Sequence, residues 1–382
     1  MATDYKVISC DDHLDLAYLP ADFWTRRMPA EYKDRAPHVE ERNGETVWIC
    51  DGKVWGGWRG GKKPAGSNNA PKSNYTAYDR GGITDTSDLR AGVAKLRLAD
   101  MDRDGVYAHV IFGPVFSIKT EDADLRDACY RVYNDSLAEL CAEAPERLLG
   151  VPMLPEFPEP ATKELKRLAG LGFFKQANLQ IADAKPRLND PSWEPFWNAI
   201  EETGMILSFH IGVGGNRPGD PAIGKPAATF TATKLYIEQF LDPFVDLFAW
   251  GILERHPKLK IVLAESGLGW LPWVVQELDN RFGRLNEASE FWSTRGGTGL
   301  TLKPSELFKR QVYATFQDDE VALSLLPYYG DGHVMWASDY PHPDSTWPNS
   351  RSARDRQMAH LSRETIKALT HDNAAKLYGL NF

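Results

Sequence analysis

The sequence is poor in cysteine and has no long apolar run. Only four of its 382 residues are cysteine, and their spacing matches neither a CxxC pair nor a zinc finger. We therefore expect reduced thiols rather than a disulfide framework or a zinc knuckle. The most apolar long segment, residues 244–253, is well short of the roughly 20 residues that cross a bilayer, and it contains Asp246. No membrane-spanning segment is expected.

The sequence also has fewer basic than acidic residues. Lysine and arginine number 44 against 53 aspartates and glutamates, which gives a net charge of -9, and no basic run stands out. Such a chain lacks the electrostatic footprint that binding to nucleic acids or anionic lipids requires. No secretory signal pattern precedes the first apolar run, which favours a cytoplasmic location. Chemistry on a small-molecule substrate is the class of function that remains.

Strand-like and helix-like segments alternate along the chain. Eight apolar runs rich in β-branched residues are mostly followed by segments with a helical period. The predicted strands are 6–10, 108–112, 148–154, 175–181, 205–210, 259–264, 311–316 and 333–337. The predicted helices are 88–103, 125–144, 160–169, 192–203, 234–255, 271–285 and 363–378. This order predicts an α/β fold, a (β/α)8 TIM barrel that takes in residues 1–382 as one domain. A doubly wound open sheet is the competing architecture, and the lack of a GxGxxG motif after the first strand disfavours it.

Residues 29–87 interrupt this alternation. Within them, 46–50 and 53–58 flank Asp51-Gly52, a turn pair typical of a β-hairpin. Residues 60–78 are rich in Gly, Pro, Ser, Asn and Lys, and we expect them to be mobile. The segment is interpreted as a long insertion after strand 1, which forms either a lid on the C-terminal face of the barrel or an ordered surface excursion or subunit contact.

Two acidic residues and a histidine follow the first predicted strand. Asp11 and His13 are two residues apart on an extended segment, so their side chains leave the same face. Asp12 is expected to point the other way. Asp11 and His13 can therefore face one common centre.

Three later strands also end in potential metal ligands. His210, Glu265 and Asp339 end the fifth, sixth and eighth predicted strands, and His342 follows Asp339 by three residues. Each alone is typical of a hydrogen-bonded structural residue or a helix N-cap. Together they would be costly to bury unless they were paired or bound to a metal. Because barrel closure brings these strand ends to one rim, the sequence predicts a His/carboxylate site suited to zinc, manganese or iron.

Several motifs occur in an order that is characteristic of one superfamily. They are residues 8–13 (ISCDDH), 208–210 (SFH), 264–272 (AESGLGWLP), 337–342 (ASDYPH) and 373–380 (NAAKLYGL). This set resembles the amidohydrolase superfamily, in particular the branch around aminocarboxymuconate semialdehyde decarboxylase, which includes the dihydroxybenzoate and resorcylate decarboxylases. The resemblance implies a distorted (β/α)8 barrel with one divalent metal, zinc or manganese, and a homo-oligomer.

The resemblance also implies roles for individual residues. The metal ligands that it implies are Asp11, His13, His210 and Asp339, with Glu265 and His342 as possible additional ligands. The catalytic residues that it implies are Asp339, Glu265 and His342. Asp11 departs from the commoner His-x-His pattern at strand one. Glu265 occupies a position where other members of the branch have a histidine.

These residues leave more than one reaction open. The family branch favours non-oxidative decarboxylation, or related C–C cleavage, of a small carboxylic acid with an aromatic ring. The same ligands also suit hydrolysis of an amide or ester by metal-activated water. Six candidate ligands are enough for a dinuclear iron or manganese site, which would indicate an oxygenase. A barrel that has lost its metal and only binds a ligand is the remaining alternative.

Overall fold

The computed structural model describes residues 4–58, 77–83, 88–114, 117–118, 120–212, 230, 233–286, 300–329 and 331–382. Its strands are β1 (Ile8–His13), β2 (His38–Arg42), β3 (Glu45–Cys50), β4 (Lys53–Gly57), β5 (Ala108–Phe112), β6 (Leu148–Val151), β7 (Met153–Leu154), β8 (Gln176–Leu179), β9 (Ile206–His210), β10 (Ile261–Ala264), β11 (Val312–Phe316) and β12 (Val334–Trp336). All of them except β2, β3 and β4 pair in parallel.

The parallel strands form a closed barrel. They run in the orders β1-β5-β6 and β12-β11-β10-β9-β8-β7. Pro152 separates β6 from β7, and because proline has no N–H to donate, only its carbonyl continues the pairing, accepting from the Asn178 N–H at 2.8 Å. On the opposite side the Asp339 N–H donates to the Asp11 carbonyl at 2.8 Å, and the His13 N–H to the Tyr340 carbonyl at 2.7 Å. The predicted TIM barrel is confirmed.

Helices surround the barrel. They are Ala77–Arg80, Ala94–Asp104, Ala123–Ala142, Pro158–Gly170, Glu194–Thr203, Leu235–Glu238, Leu241–Ala249, Ile252–Arg255, Leu271–Asn286, Pro304–Gln311, Glu320–Ser324, Leu326–Tyr329, Ser350–Gln357, Arg363–Lys367 and Asn373–Tyr378. A π-helical turn, Ala368–Asp372, joins the last two. Side chains of β9 and β10 alternate between the barrel interior (Ile206, Val262, Ala264) and the layer under the helices (Leu207, Ile261, Leu263).

Two helix predictions were wrong in extent. The helix expected from residue 88 begins at Ala94, because Leu89 has a left-handed φ of 55° and a 3-10 turn precedes the helix. The single helix expected over 234–255 is three short helices. Pro243 has no N–H to continue a helix from the preceding turn, and Gly251 has a φ of 66° between the second and third segments.

The segment after strand 1 contains a three-stranded antiparallel sheet in the order β2-β3-β4. The predicted hairpin over Asp51-Gly52 is present, and β2 was not predicted. Trp48 and Trp55 are buried against Trp24, with ring centroids 5.2 and 5.3 Å away. Of the stretch expected to be mobile, 60–76 lie outside the described residues, and 77–78 begin the helix Ala77–Arg80. A role as a lid or subunit contact stays a prediction.

Candidate metal centre

A β-bulge in β1 determines which side chains face the barrel interior. Ile8 and Ser9 pair with Ala108 and His109, but Asp12 and His13 pair with Ile111 and Phe112, so β1 has one extra residue between these pairs. A bulge of this kind re-aims side chains next to functional sites. Strict alternation from the inward Ile8 would turn Asp11 and His13 outward, and the extra residue turns both of them inward.

Four of the predicted ligands converge at the C-terminal rim of the barrel. Asp11 Oδ1 is 3.1 Å from His210 Nε2 and 3.4 Å from His13 Nε2. His13 Nε2 is in turn 3.2 Å from Asp339 Oδ1. All four side chains are almost completely buried. His210 Nδ1 donates to the Ile211 carbonyl at 2.6 Å, which leaves the Nε2 lone pair to face the cluster.

Left-handed backbone conformations bring Glu265 and Asp339 to the same place. Their φ angles are 48° and 60°, values that residues other than glycine rarely adopt. Such strain persists only where the surrounding structure enforces it, and it concentrates at functional sites. The Glu265 N–H donates to Thr315 Oγ1 at 3.1 Å, and Glu265 Oε2 lies 3.6 Å from His210 Nε2.

His342 lies between two carboxylates. Its Nδ1 is 2.9 Å from Asp339 Oδ1, and its Nε2 is 2.7 Å from Asp15 Oδ2. Its ring stacks on that of His13 with a centroid distance of 3.9 Å and an interplanar angle of 20°. Sequence reasoning missed Asp15. The available signal was its place two residues beyond His13, the same spacing that links His13 to Asp11.

The close packing of opposite charges shifts the pKa values of these groups. Burial and the neighbouring His342 act to lower the pKa of His13, but its contacts with Asp11, Asp339 and Asp15 raise it to about 10. Burial opposes ionisation of Asp339, yet His342 and His13 hold the pKa of this carboxyl below its ordinary value. Burial, reinforced by the charges of Asp339 and Asp11, raises the pKa of Glu265 well above its usual range. Without a bound cation, Glu265 is therefore the carboxyl of this cluster that favours its protonated form.

The polar atoms of the cluster fit a metal ion. Both ring nitrogens of His13 and both carboxylate oxygens of Asp339 are buried, and among the described residues they make ion-pair contacts but no well-aligned hydrogen bond. Buried polar atoms without a hydrogen bond are typical of sites that bind a water molecule or an ion. Two overlapping groups of side chains place one ligand atom each within 4.8 Å of one another, namely Asp11, His13 and His210, and His13, Glu265, Asp339 and His342. Imidazole and carboxylate donors suit zinc, manganese or iron.

Comparison with known proteins shows the family of this chain. A family model described as Amidohydrolase matches residues 95–380, well over half of the chain. The chain belongs to the amidohydrolase family. The resemblance that the motifs indicated is confirmed, and so is the expectation of an enzyme of this superfamily.

Among curated amidohydrolase relatives, a gamma-resorcylate decarboxylase from Rhizobium sp. (strain MTP-10005) is 25% identical over 249 residues, which cover 62% of this chain and 74% of the relative. Among solved structures, an amidohydrolase from Mycobacterium avium subsp. paratuberculosis K-10 superposes with a TM-score of 0.75 at 21% identity, covering 99% of this chain and 100% of that one. A 5-carboxyvanillate decarboxylase from Novosphingobium aromaticivorans, complexed with manganese and 4-hydroxy-3-methoxy-5-nitrobenzoic acid, gives 0.67 at 18% identity, covering 99% and 97%. The two structures support the fold.

The structure thus places every predicted site residue of this amidohydrolase at one rim. Asp11 and His210 lie on one side of His13, and Asp339, Glu265 and His342 lie together with His13 in a second group. Within the described part of the chain, no helix is both long and apolar enough to span a membrane.

Proposed function

We propose that this amidohydrolase is a metal-dependent carboxy-lyase that releases CO2 from a small aromatic carboxylic acid. The observation that carries the proposal is a pair of ligand groups that share His13: one joins His13 to Asp11 and His210, and the other joins it to Asp339, Glu265 and His342. The 25% identity to a gamma-resorcylate decarboxylase supports decarboxylation over the hydrolase alternative. The carboxyvanillate decarboxylase of the same fold supports manganese as the metal, with zinc as the second candidate.

In this proposal Asp11, His13, His210 and Asp339 hold one divalent cation. Such a cation supplies Lewis-acid polarisation of the substrate oxygens that it contacts. Positioning of the ligands and proton transfer are tasks of the protein side chains. Phe112, whose ring centroid is 4.9 Å from that of His210, is almost completely buried and packs against this proposed ligand.

Glu265 is proposed as the proton donor. Its side chain is 19% exposed, so a substrate can reach it, whereas the four ligands are enclosed. The Glu265 carboxyl transfers its proton to the ring carbon that bears the carboxylate. The C–C bond then breaks, its electron pair stays with the ring, and CO2 departs. Water returns a proton to Glu265 for the next cycle.

His342 is proposed to position Asp339. Because its Nε2 is held by Asp15, its Nδ1 stays directed at Asp339 Oδ1. This contact holds the carboxylate of Asp339 beside His13, where it would bind the cation. Outer partners of metal ligands commonly act in this way.

Metal removal and substrate screening test the proposed function. The purified protein is analysed for metals, treated with a chelator, and reloaded with Mn²⁺ or Zn²⁺. Each form is incubated with a panel of hydroxylated benzoic acids while CO2 and the decarboxylated product are measured. We expect one metal per chain, loss of CO2 release on chelation and its recovery on reloading. Cleavage of esters or amides without CO2 would contradict the proposal in favour of a hydrolase, and two metals per chain with oxygen consumption would contradict it in favour of the dinuclear oxygenase.

Replacing Asp15 tests how His342 is held. Asp15→Ala is expected to lower turnover by about tenfold to a hundredfold, because the imidazole of His342 loses the carboxylate that orients it. His342→Ala should have a similar effect, and the double variant should be no slower than the slower single variant, since the two residues act as one unit. Turnover of the acid found in the screen is the measurement. Additive losses in the double variant would show that Asp15 acts independently of His342.

A further inference from the structure

Asp12 lies between two metal-binding candidates but points away from them. Its Oδ1 accepts hydrogen bonds from Ser338 Oγ at 2.6 Å, from Ser9 Oγ at 3.0 Å and from the Tyr340 N–H at 3.2 Å. Asp12 is completely buried. A carboxylate in such a position is costly unless its surroundings compensate its charge. Its three donors come from β1 itself and from the turn that carries Asp339.

A buried arginine reaches the same strand and offsets only part of the effect of burial, which raises the pKa of Asp12 well above its usual range. Arg97 is inaccessible to solvent, and its guanidinium donates to the backbone carbonyl of His13 and to that of Ala91. It also donates to His109 Nδ1 at 3.0 Å, and this nitrogen lies 3.7 Å from Asp12 Oδ2. The side chains of Asp12 and Arg97 therefore pack at the end of β1, on the face opposite to the cluster.

The turn that Asp12 holds contains Asp339, one of the two strained residues of the cluster. Asp339 has a φ of 60°, and the residues on either side of it both donate to Asp12. The Ser338 N–H further donates to Ser9 Oγ at 2.7 Å, which ties the turn to β1 a second time. An αL conformation at a residue other than glycine needs this kind of support. Without it, the Asp339 backbone would relax and move its carboxylate relative to His13.

We infer that Asp12 is a positioning residue that couples the end of β1 to the turn 338–340 and thereby sets the affinity of the site for a divalent cation. The inference rests on the metal-dependent function proposed above. Asp12 itself contacts neither substrate nor cation. It acts by keeping His13 and Asp339, which come from opposite ends of the chain, 3.2 Å apart.

Manganese binding to the full-length protein, stripped of metal, tests this inference. In Asp12→Ala the turn loses its acceptor, and we expect Mn²⁺ to bind about tenfold to a hundredfold more weakly. Asp12→Asn keeps an oxygen that can accept from Ser338 and Tyr340, so it should recover most of the affinity. If Asp12→Ala does not fold, Ser338→Ala removes one donor alone and should weaken binding to a smaller degree. Calorimetric titration gives the affinity, and the Mn²⁺ EPR spectrum reports the coordination geometry.

Asp104→Ala is the matched control. Asp104 is also a buried carboxylate, and it accepts from the Ser350 N–H at 2.9 Å, farther along the chain from the turn. Both alanine variants should be less stable to heat, but Asp104→Ala should bind Mn²⁺ as the parent does. Parental affinity in Asp12→Ala, an equal loss in Asp104→Ala, or failure of Asp12→Asn to recover would each overturn the inference. Since Mn²⁺ affinity involves no substrate, absence of decarboxylation would refute the proposed reaction and leave this inference standing.

Discussion

The His210→Ala variant is expected to lose its bound metal and its turnover together, with activity reduced at least about a thousandfold. His210 Nε2 lies 3.1 Å from Asp11 Oδ1, and its Nδ1 is committed to the Ile211 carbonyl. Alanine removes the proposed metal ligand that β9 contributes, and the other proposed ligands come from β1 and from the turn after β12. The metal site would then be open on the side that faces Glu265. Metal content per chain and CO2 release, measured on the same preparation, check the prediction.

His256→Ala is the matched control for this variant. His256 is buried as deeply as His210, but it precedes β10 on the far side of the barrel, where its Nε2 is 3.2 Å from Glu194 Oε1. It should keep its metal and its turnover even if it melts at a lower temperature. A His210→Ala protein that bound metal as tightly as the parent would rule out His210 as a ligand. A parent protein without metal, whose His210→Ala variant bound the acid unchanged, would favour the metal-free binding protein.

Strand ends were the most informative part of the sequence. His210 and Asp339 could be placed at the rim because each follows an apolar run, and parallel strands of a closed barrel present their C-terminal ends together. Asp11 and His13 were paired correctly by their spacing. The reason that they face inward is the extra residue in β1, and a bulge depends on pairing with β5, which spacing along one strand cannot reveal.

Long-range contacts explain what the sequence did not reveal. Asp15 reaches His342 across 327 positions, so nothing near either residue marks the pair. Asp12 was correctly expected to point away from Asp11 and His13, but two of its three donors, Ser338 and Tyr340, are visible only once β12 lies beside β1. The break of 234–255 into three helices has a local cause, since Pro243 and Gly251 are both apparent in the sequence. The prediction gave more weight to the helical period of the apolar positions than to Pro243 and Gly251.

The separation of roles between Asp339 and Glu265 follows from their neighbours. Asp339 is adjacent to His13 and His342, which stabilise its ionised form and suit it to bind a cation. Glu265 faces His210 at the longer distance of 3.6 Å, and the negative charges of Asp339 and Asp11 favour its protonated form. Without a bound cation, the two carboxyls at this rim thus differ in their tendency to hold a proton because their surroundings differ. To protonate a ring carbon of the substrate, a carboxyl must first hold a proton.

Glu265→Gln is therefore expected to lower kcat by about a hundredfold to ten-thousandfold while the protein keeps its metal. Glutamine has nearly the same shape and keeps a polar contact toward His210, but its amide cannot give up a proton to carbon. KM should change little, because substrate binding would rest on the cation. Glu164→Gln is the matched control, since Glu164 is buried against Arg167 and Asn134 away from the rim and should leave kcat unchanged. Steady-state CO2 release and metal content are measured for both variants. Full turnover in Glu265→Gln would remove Glu265 as the donor, and loss of metal would make it a ligand instead.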